Sequence, residues 1–165
     1  MSEPIYVYIG TYADEQTAKS DLEVVRDLYG DGVLRTYDAA VVTKEADQRI
    51  HVRRHEHTAA RSAWHGAAVG ALVGVLFPPA FIVSTVAGAA AGGLVGHLWH
   101  GLSRDDLKEL GEWLDAGEAS LVVISTTEID HALTTALKAT AHQTKKLEVA
   151  DLKAFEAELK SVSAD

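Results

Sequence analysis

Apolar residues alternate along the start of the chain. Ile5, Val7 and Ile9 share one side and Tyr6 and Tyr8 the other. A period of two predicts a strand over Ile5 to Tyr12 with one buried face. The period then lengthens. Ala18, Leu22, Val25 and Leu28-Tyr29 recur at helical spacing behind acids in the first turn, which predicts a helix from Asp14 to Tyr29, ended by Gly30-Asp31-Gly32. Val33 to Lys44 reads as a second strand. Glu45-Ala46-Asp47-Gln48 is a turn, and Arg49 to His57 a third strand in hairpin with the second. Ser103 opens a capping-box pattern, with Asp106 in the third helical position. The helix it starts runs to about Ala116, with Leu107, Leu110 and Leu114 inward, and Gly117 stops it. Ala119 to Ser125 is apolar on both faces, which predicts a central or covered strand. Thr126 to Lys146 and Val149 to Val162 read as two further helices, the second with Leu152, Phe155 and Leu159 on one side.

Without the segment between His57 and Ser103, the order is strand, helix, strand, strand, helix, strand. That order predicts an α+β fold of the ferredoxin-like βαββαβ kind. Residues 1–57 and 103–125 would form the core, 58–102 an insertion, and 126–165 a C-terminal helical extension. Open sheet faces of this kind commonly pair, so a homo-oligomer is expected from fold analogy.

The insertion has its own pattern. Ser62 to Ser103 carries no Asp, Glu, Lys or Arg. Small residues recur every fourth position in two arms: Ser62, Gly66, Gly70, Gly74, then Ser84, Gly88, Gly92, Gly96. Positions four apart stack on one helix face. Glycine costs about 1 kcal/mol per exposed helical site, so these faces need a compensating gain. Close backbone approach between helices supplies it. Folding the stretch at Pro78-Pro79 pairs Ser62 with Gly96, Gly66 with Gly92, Gly70 with Gly88 and Gly74 with Ser84. A glycine-zipper helical hairpin is therefore predicted, with its prolines in the turn.

Two environments suit such a hairpin. Trp64-His65 and Trp99-His100 lie near its open end on both arms, where a membrane interface belt would place them. The second arm is long enough to span a bilayer, while the first is short and fits a re-entrant or interfacial segment. Alternatively the outer residues Leu72, Val75, Leu76, Ile82, Val86 and Leu94 are buried by other subunits. The net charge of −9 argues against non-specific nucleic-acid binding and against electrostatic attraction to anionic headgroups. Any membrane contact would come from the hairpin. The chain has no cysteine, hence no disulfide, thiolate site or cysteine nucleophile. MSEPIYVYIG lacks a basic and an apolar signal region, so the bulk of the chain is expected in the cytoplasm, either membrane-associated or as a soluble oligomer.

The run GALVGVLFPP, followed by AGAAAGGLVGHLWHGLSRDDLKELGEWLDAGEASLVVI, resembles the bacterial domain-of-unknown-function family 1269, whose members are described as predicted membrane proteins. The resemblance covers nearly the whole chain, from about Ile5 to the late helices. It implies a membrane label and a bacterial origin. It implies no catalytic residues.

Candidate chemistry rests on histidines. His51, His55 and His57 share a strand face with Arg53 among them. Alternate strand residues lie about 7 Å apart, so His55 and His57 would reach one metal, with His51 farther off. A haem or divalent-metal site is one reading. A solvated or subunit-facing strand surface is the other. His97 and His100 are one helical turn apart and join His65 at the hairpin mouth, where interfacial histidines beside Trp64 and Trp99 also account for them. His131 and His142 are expected on one exposed helical stripe. Asp105-Asp106 and Glu109-Glu112 suit the start of a capped helix without any catalytic role. There is no GxxxxGK[ST], GxSxG or HExxH. The expectation is a non-enzymatic, self-assembling protein, with the hairpin in the bilayer or in a shared core. The alternative is a haem- or metal-binding, redox-active protein.

Overall fold

A computed structural model describes residues 3–32, 37–44, 49–53, 69, 72–73, 76, 104–115, 119–126 and 128–149. The described elements are β1 (Glu3–Tyr12), α1 (Glu15–Gly30), β2 (Tyr37–Lys44), β3 (Ile50–Arg53), α2 (Arg104–Asp115), β4 (Ala119–Ser125), α3 (Asp130–Ala136) and β5 (Ala141–Val149). The chain is α+β. The five described strands form one sheet in the order β3-β2-β4-β1-β5, antiparallel at every neighbour.

It follows that β1 and β2 run parallel with β4 between them, and that β4 and β5 run parallel with β1 between them. The helices connecting these two pairs, α1 and α3, lie on one face of the sheet. There Ala18, Leu22, Val25, Ile129 and Leu133 pack with Tyr8, Tyr12, Tyr37, Ala39, Val41, Leu121 and Val123. Each fully buried Val, Leu or Ile contributes roughly 1.5–3 kcal/mol through water release. The opposite face carries Ile5, Val7, Ile9, Ala40, Val42, Val122 and Ile124, all buried. α2 covers part of it with Leu110 and Leu114, and is tied to β5 through Lys145. Both faces of β1 and β4 are therefore dry. Every residue of β4 is buried, as its apolar sequence predicts for a central strand. For β1 the expectation of one buried face is too modest, since Tyr8 and Tyr12 are also covered.

The first helix follows its sequence signals. Asp14 has extended backbone angles and accepts the Thr17 N–H at 2.7 Å, satisfying one of the otherwise orphaned first-turn donors. At the other end the Asp31 N–H reaches the Asp27 carbonyl, and Gly32 takes a φ of 81°, a left-handed angle natural to glycine.

One expectation fails clearly. Thr126 to Lys146 is not a single helix. Helical structure is confined to Asp130–Ala136, and Ala141–Val149 is an edge strand paired along β1 from Glu3 to Thr11. The sheet thus has five strands instead of four, and 126–165 is not a purely helical extension. Strand β1 has two edges, and β4 fills only one of them; β5 closes the other with backbone hydrogen bonds that outweigh a helical period. His131 and His142 consequently stand on different elements, α3 and β5. The expected final helix, apart from Val149, and the expected hairpin 58–102, apart from four residues, lie outside the described residues.

Candidate functional site

Among the described residues the buried polar side chains are Asp21, Asp38, Ser120 and Ser125, and Asp21 ties together the α1/α3 face. Asp21 sits on the apolar stripe of α1, one helical turn from Ala18 and Val25, and is only 2% exposed. Its Oδ2 accepts the Tyr12 hydroxyl at 2.5 Å and the Lys138 backbone N–H at 2.7 Å. One carboxylate oxygen therefore joins β1, α1 and the α3–β5 connection. Burial first, and then the Asp21 carboxylate beside it, push the Tyr12 phenol far above its ordinary range. The phenol keeps its proton and acts as a donor.

The same connection is fixed at two more points. Thr140 donates both its N–H and its hydroxyl to the Thr11 carbonyl, each at 2.9 Å. Ala139 lies over Gly10, where an added Cβ would stand 3.1 Å from the Ala139 Cβ and 3.1 Å from the Tyr8 ring. Beside it the exposed His142 ring stacks on Tyr8, 5.9 Å between centroids and 15° between planes, with Nε2 3.2 Å from the Thr134 hydroxyl. These contacts hold α3 and β5 against β1.

On the other face Lys145 Nζ stands 2.8 Å from Asp106 and 2.7 Å from Glu109. Hydrogen bonds to Asp106 and then to Glu109 raise the ammonium above its usual value. Both acids are only partly exposed, and they anchor the edge strand to α2. Asp38 of β2 is also on this face, 1% exposed, and its Oδ2 receives the Val69 N–H at 2.9 Å.

Of the residues singled out in the sequence, His51 lies on edge strand β3 opposite Thr43, partly exposed. His55 and His57 lie outside the described residues, as do His65, His97, His100 and the hairpin positions Ser62, Gly66, Gly70, Gly74, Ser84, Gly88, Gly92 and Gly96. Among the described residues no group of three or more His, Cys, Asp or Glu is placed to hold a metal. Among the described residues, too, no helix is long and apolar enough to cross a membrane. Asp21 and Asp38 were missed as structural centres. Their signal was present: each is an acid within an otherwise apolar face, where burial demands partners.

Neither a curated protein nor a solved structure matches the chain. A family model described as "Protein of unknown function (DUF1269)" matches residues 63–161. That span takes in the chargeless stretch from Ala63 onward, α2, β4, α3 and β5, and the chain belongs to this family of proteins of unknown function (DUF1269).

Proposed function

We propose that this chain is a non-enzymatic, self-assembling protein. Its α+β core carries the chargeless stretch 62–103, and copies associate through the apolar surface of that stretch. One observation carries the choice of a shared protein core over bilayer insertion: Val69, Leu72 and Val73 are each 0% exposed within a single chain. An arm committed to lipid would turn such side chains outward, because hydrocarbon tails solvate Val and Leu as well as a protein core does. Here the chain's own residues cover them. The chargeless run 62–103 is far longer than these three residues, and further copies give it a second apolar partner.

The strand order supports the fold-level part of this reading. The strands are not those expected: β3 lies at the edge instead of beside β1, and the order β5-β1-β4-β2, with both connecting helices on one face, suits a ferredoxin-like sheet only with β4 and β5 in place of the expected third and fourth strands. Such sheets assemble readily, which is an argument by fold analogy. The reading places the oligomer in the cytoplasm.

The test is fractionation of the native protein followed by mass determination without detergent. The expected result is a soluble particle of defined mass, several times 17.7 kDa. A detergent-free monomer would overturn the assembly reading. Recovery only in membranes, with release only by detergent, would overturn the shared core and favour insertion.

A further inference from the structure

Asp38 is an acid in an otherwise apolar run, between Tyr37 and Ala39-Ala40-Val41-Val42. It pairs in register with Ile124 of the central strand, on the face away from α1. A carboxylate buried there requires donors, and one is the Val69 backbone N–H. Val69, Leu72, Val73 and Leu76 are helical. The bond selects one N–H of the stretch, that of Val69, as its donor.

The apolar contacts alone cannot make this choice. Moving the stretch by three residues replaces Val69, Leu72 and Val73 with Leu72, Val75 and Leu76. Moving it by four presents Val73, Leu76 and Phe77. All three sets are apolar and similar in bulk, and hydrophobic burial has no direction. A hydrogen bond does, and one buried polar group is enough to set the register of otherwise degenerate apolar surfaces. We infer that Asp38 is the positioning residue that selects which part of the chargeless stretch lies on the sheet, through its bond with the Val69 N–H. The inference rests on the assembly reading for its consequence: the residues taken up by the sheet determine which are left to face other copies.

The chain has no cysteine, so paired spin labels can be placed at Gln143→Cys on β5 and Leu76→Cys, with labelled chains diluted into unlabelled ones. A slip of three or four helical residues displaces the second label by roughly 5–6 Å. The unmodified register and Asp38→Asn, which keeps an acceptor oxygen, are expected to give one and the same distance. Asp38→Leu removes the acceptor, and Val69→Pro removes the donor. Both are expected to broaden or displace the distance by about 5 Å. A folded Asp38→Leu or Val69→Pro chain that keeps the original distance overturns the inference. So does a Val69 amide in the native chain that exchanges with solvent as fast as an unstructured amide. Native mass on the same samples judges the assembly reading separately, since a monomer with an Asp38-dependent distance would refute assembly and leave the register assignment standing.

Discussion

Tyr12→Phe is the substitution whose effect is best defined by the geometry. It removes one oxygen and leaves the ring, so the packing around Tyr8, Gly10 and Ala139 is unchanged and no large cavity opens. What is lost is the 2.5 Å donation to Asp21, in a place where Tyr12 is 1% and Asp21 2% exposed. Water cannot easily replace the hydroxyl there. A hydrogen bond to a charged group contributes about 1.5–3 kcal/mol, and Asp21 retains the Lys138 N–H. The loss of stability should fall within that range. For a domain of this length it corresponds to a drop of roughly 3–12 °C in Tm. Asp21→Ala should cost more, because it strands both the phenol and the Lys138 N–H. In the double variant the cost should be less than additive by about 1.5–3 kcal/mol, the signature of a shared bond. Urea denaturation of the four proteins measures this directly. The pH dependence supplies an independent check. Unfolded, the phenol ionises near pH 10; folded, burial and Asp21 hold its proton to higher pH. Its contribution is thus complete below about pH 10 and is lost as the pH rises beyond it, where the folded state binds more protons than the unfolded one. Tyr12→Phe should flatten that alkaline loss, with the other four tyrosines as the common background. A Tyr12→Phe chain within about 0.5 kcal/mol of the parent, with an unchanged alkaline slope, would falsify the assignment of the Tyr12–Asp21 pair as a structural centre.

Gly10→Ala drives a methyl into the Ala139 and Tyr8 contacts and should cost about 1–3 kcal/mol by chemical denaturation, as overpacking does; no loss would mean that the α3–β5 connection yields freely. Lys145→Met removes the link between β5 and α2 and should cost about 0.5–1 kcal/mol at low salt. The difference should shrink at high ionic strength, and the raised Lys145 ammonium means that the parent loses this contribution above about pH 10. Asp14→Ala should lower Tm, and Asp14→Ser should recover most of the loss. The Thr17 N–H holds the Asp14 carboxyl below its usual range, so the cap is present above about pH 4 and fades as the pH falls below it; melts of both proteins across that range show whether their gap closes.

Much of the sheet was legible because burial writes itself into a sequence when both faces of a strand are covered. Leu121-Val122-Val123-Ile124 could hardly be anything but a covered strand, and β4 lies at the centre. β5 was illegible for the converse reason. His142, Gln143 and Lys146 are exposed, so the alternation that marks a half-buried strand is absent, and Leu133, Leu137 and Leu147 mimic a helical period through it. Its lysines are what an edge strand uses against unwanted pairing, a signal that is weak without knowing that β1 had a vacant side. Asp21 was hidden by a related effect. Read along α1 it is one acid among many, while the stripe of Ala18, Leu22 and Val25 places it inside. The partner that makes it tolerable, Lys138, is 117 residues away, and no local pattern contains that information. The histidine reading depended on His55 and His57, and the one described member of that set, His51, lies on the sheet's outermost strand.

The central position of β4 bears on the order of events during synthesis. β1 and β2 leave the ribosome first, yet they do not touch each other; the strand that joins them arrives last but one. Elongation from Lys44 to Ala119 spans roughly 75 residues and takes roughly 4–15 s at ~5–20 residues per second. Through most of that interval the nascent chain carries β1 and the β2–β3 hairpin apart from each other, each with an unfilled edge. The whole chargeless stretch emerges within it, before the surface that receives Val69, Leu72 and Val73 is complete. Long-range pairing of this kind is slow and exposes aggregation-prone surface. Dependence on chaperones should therefore be greatest in chains stalled just short of β4, and should fall once Ser125 has cleared the exit tunnel.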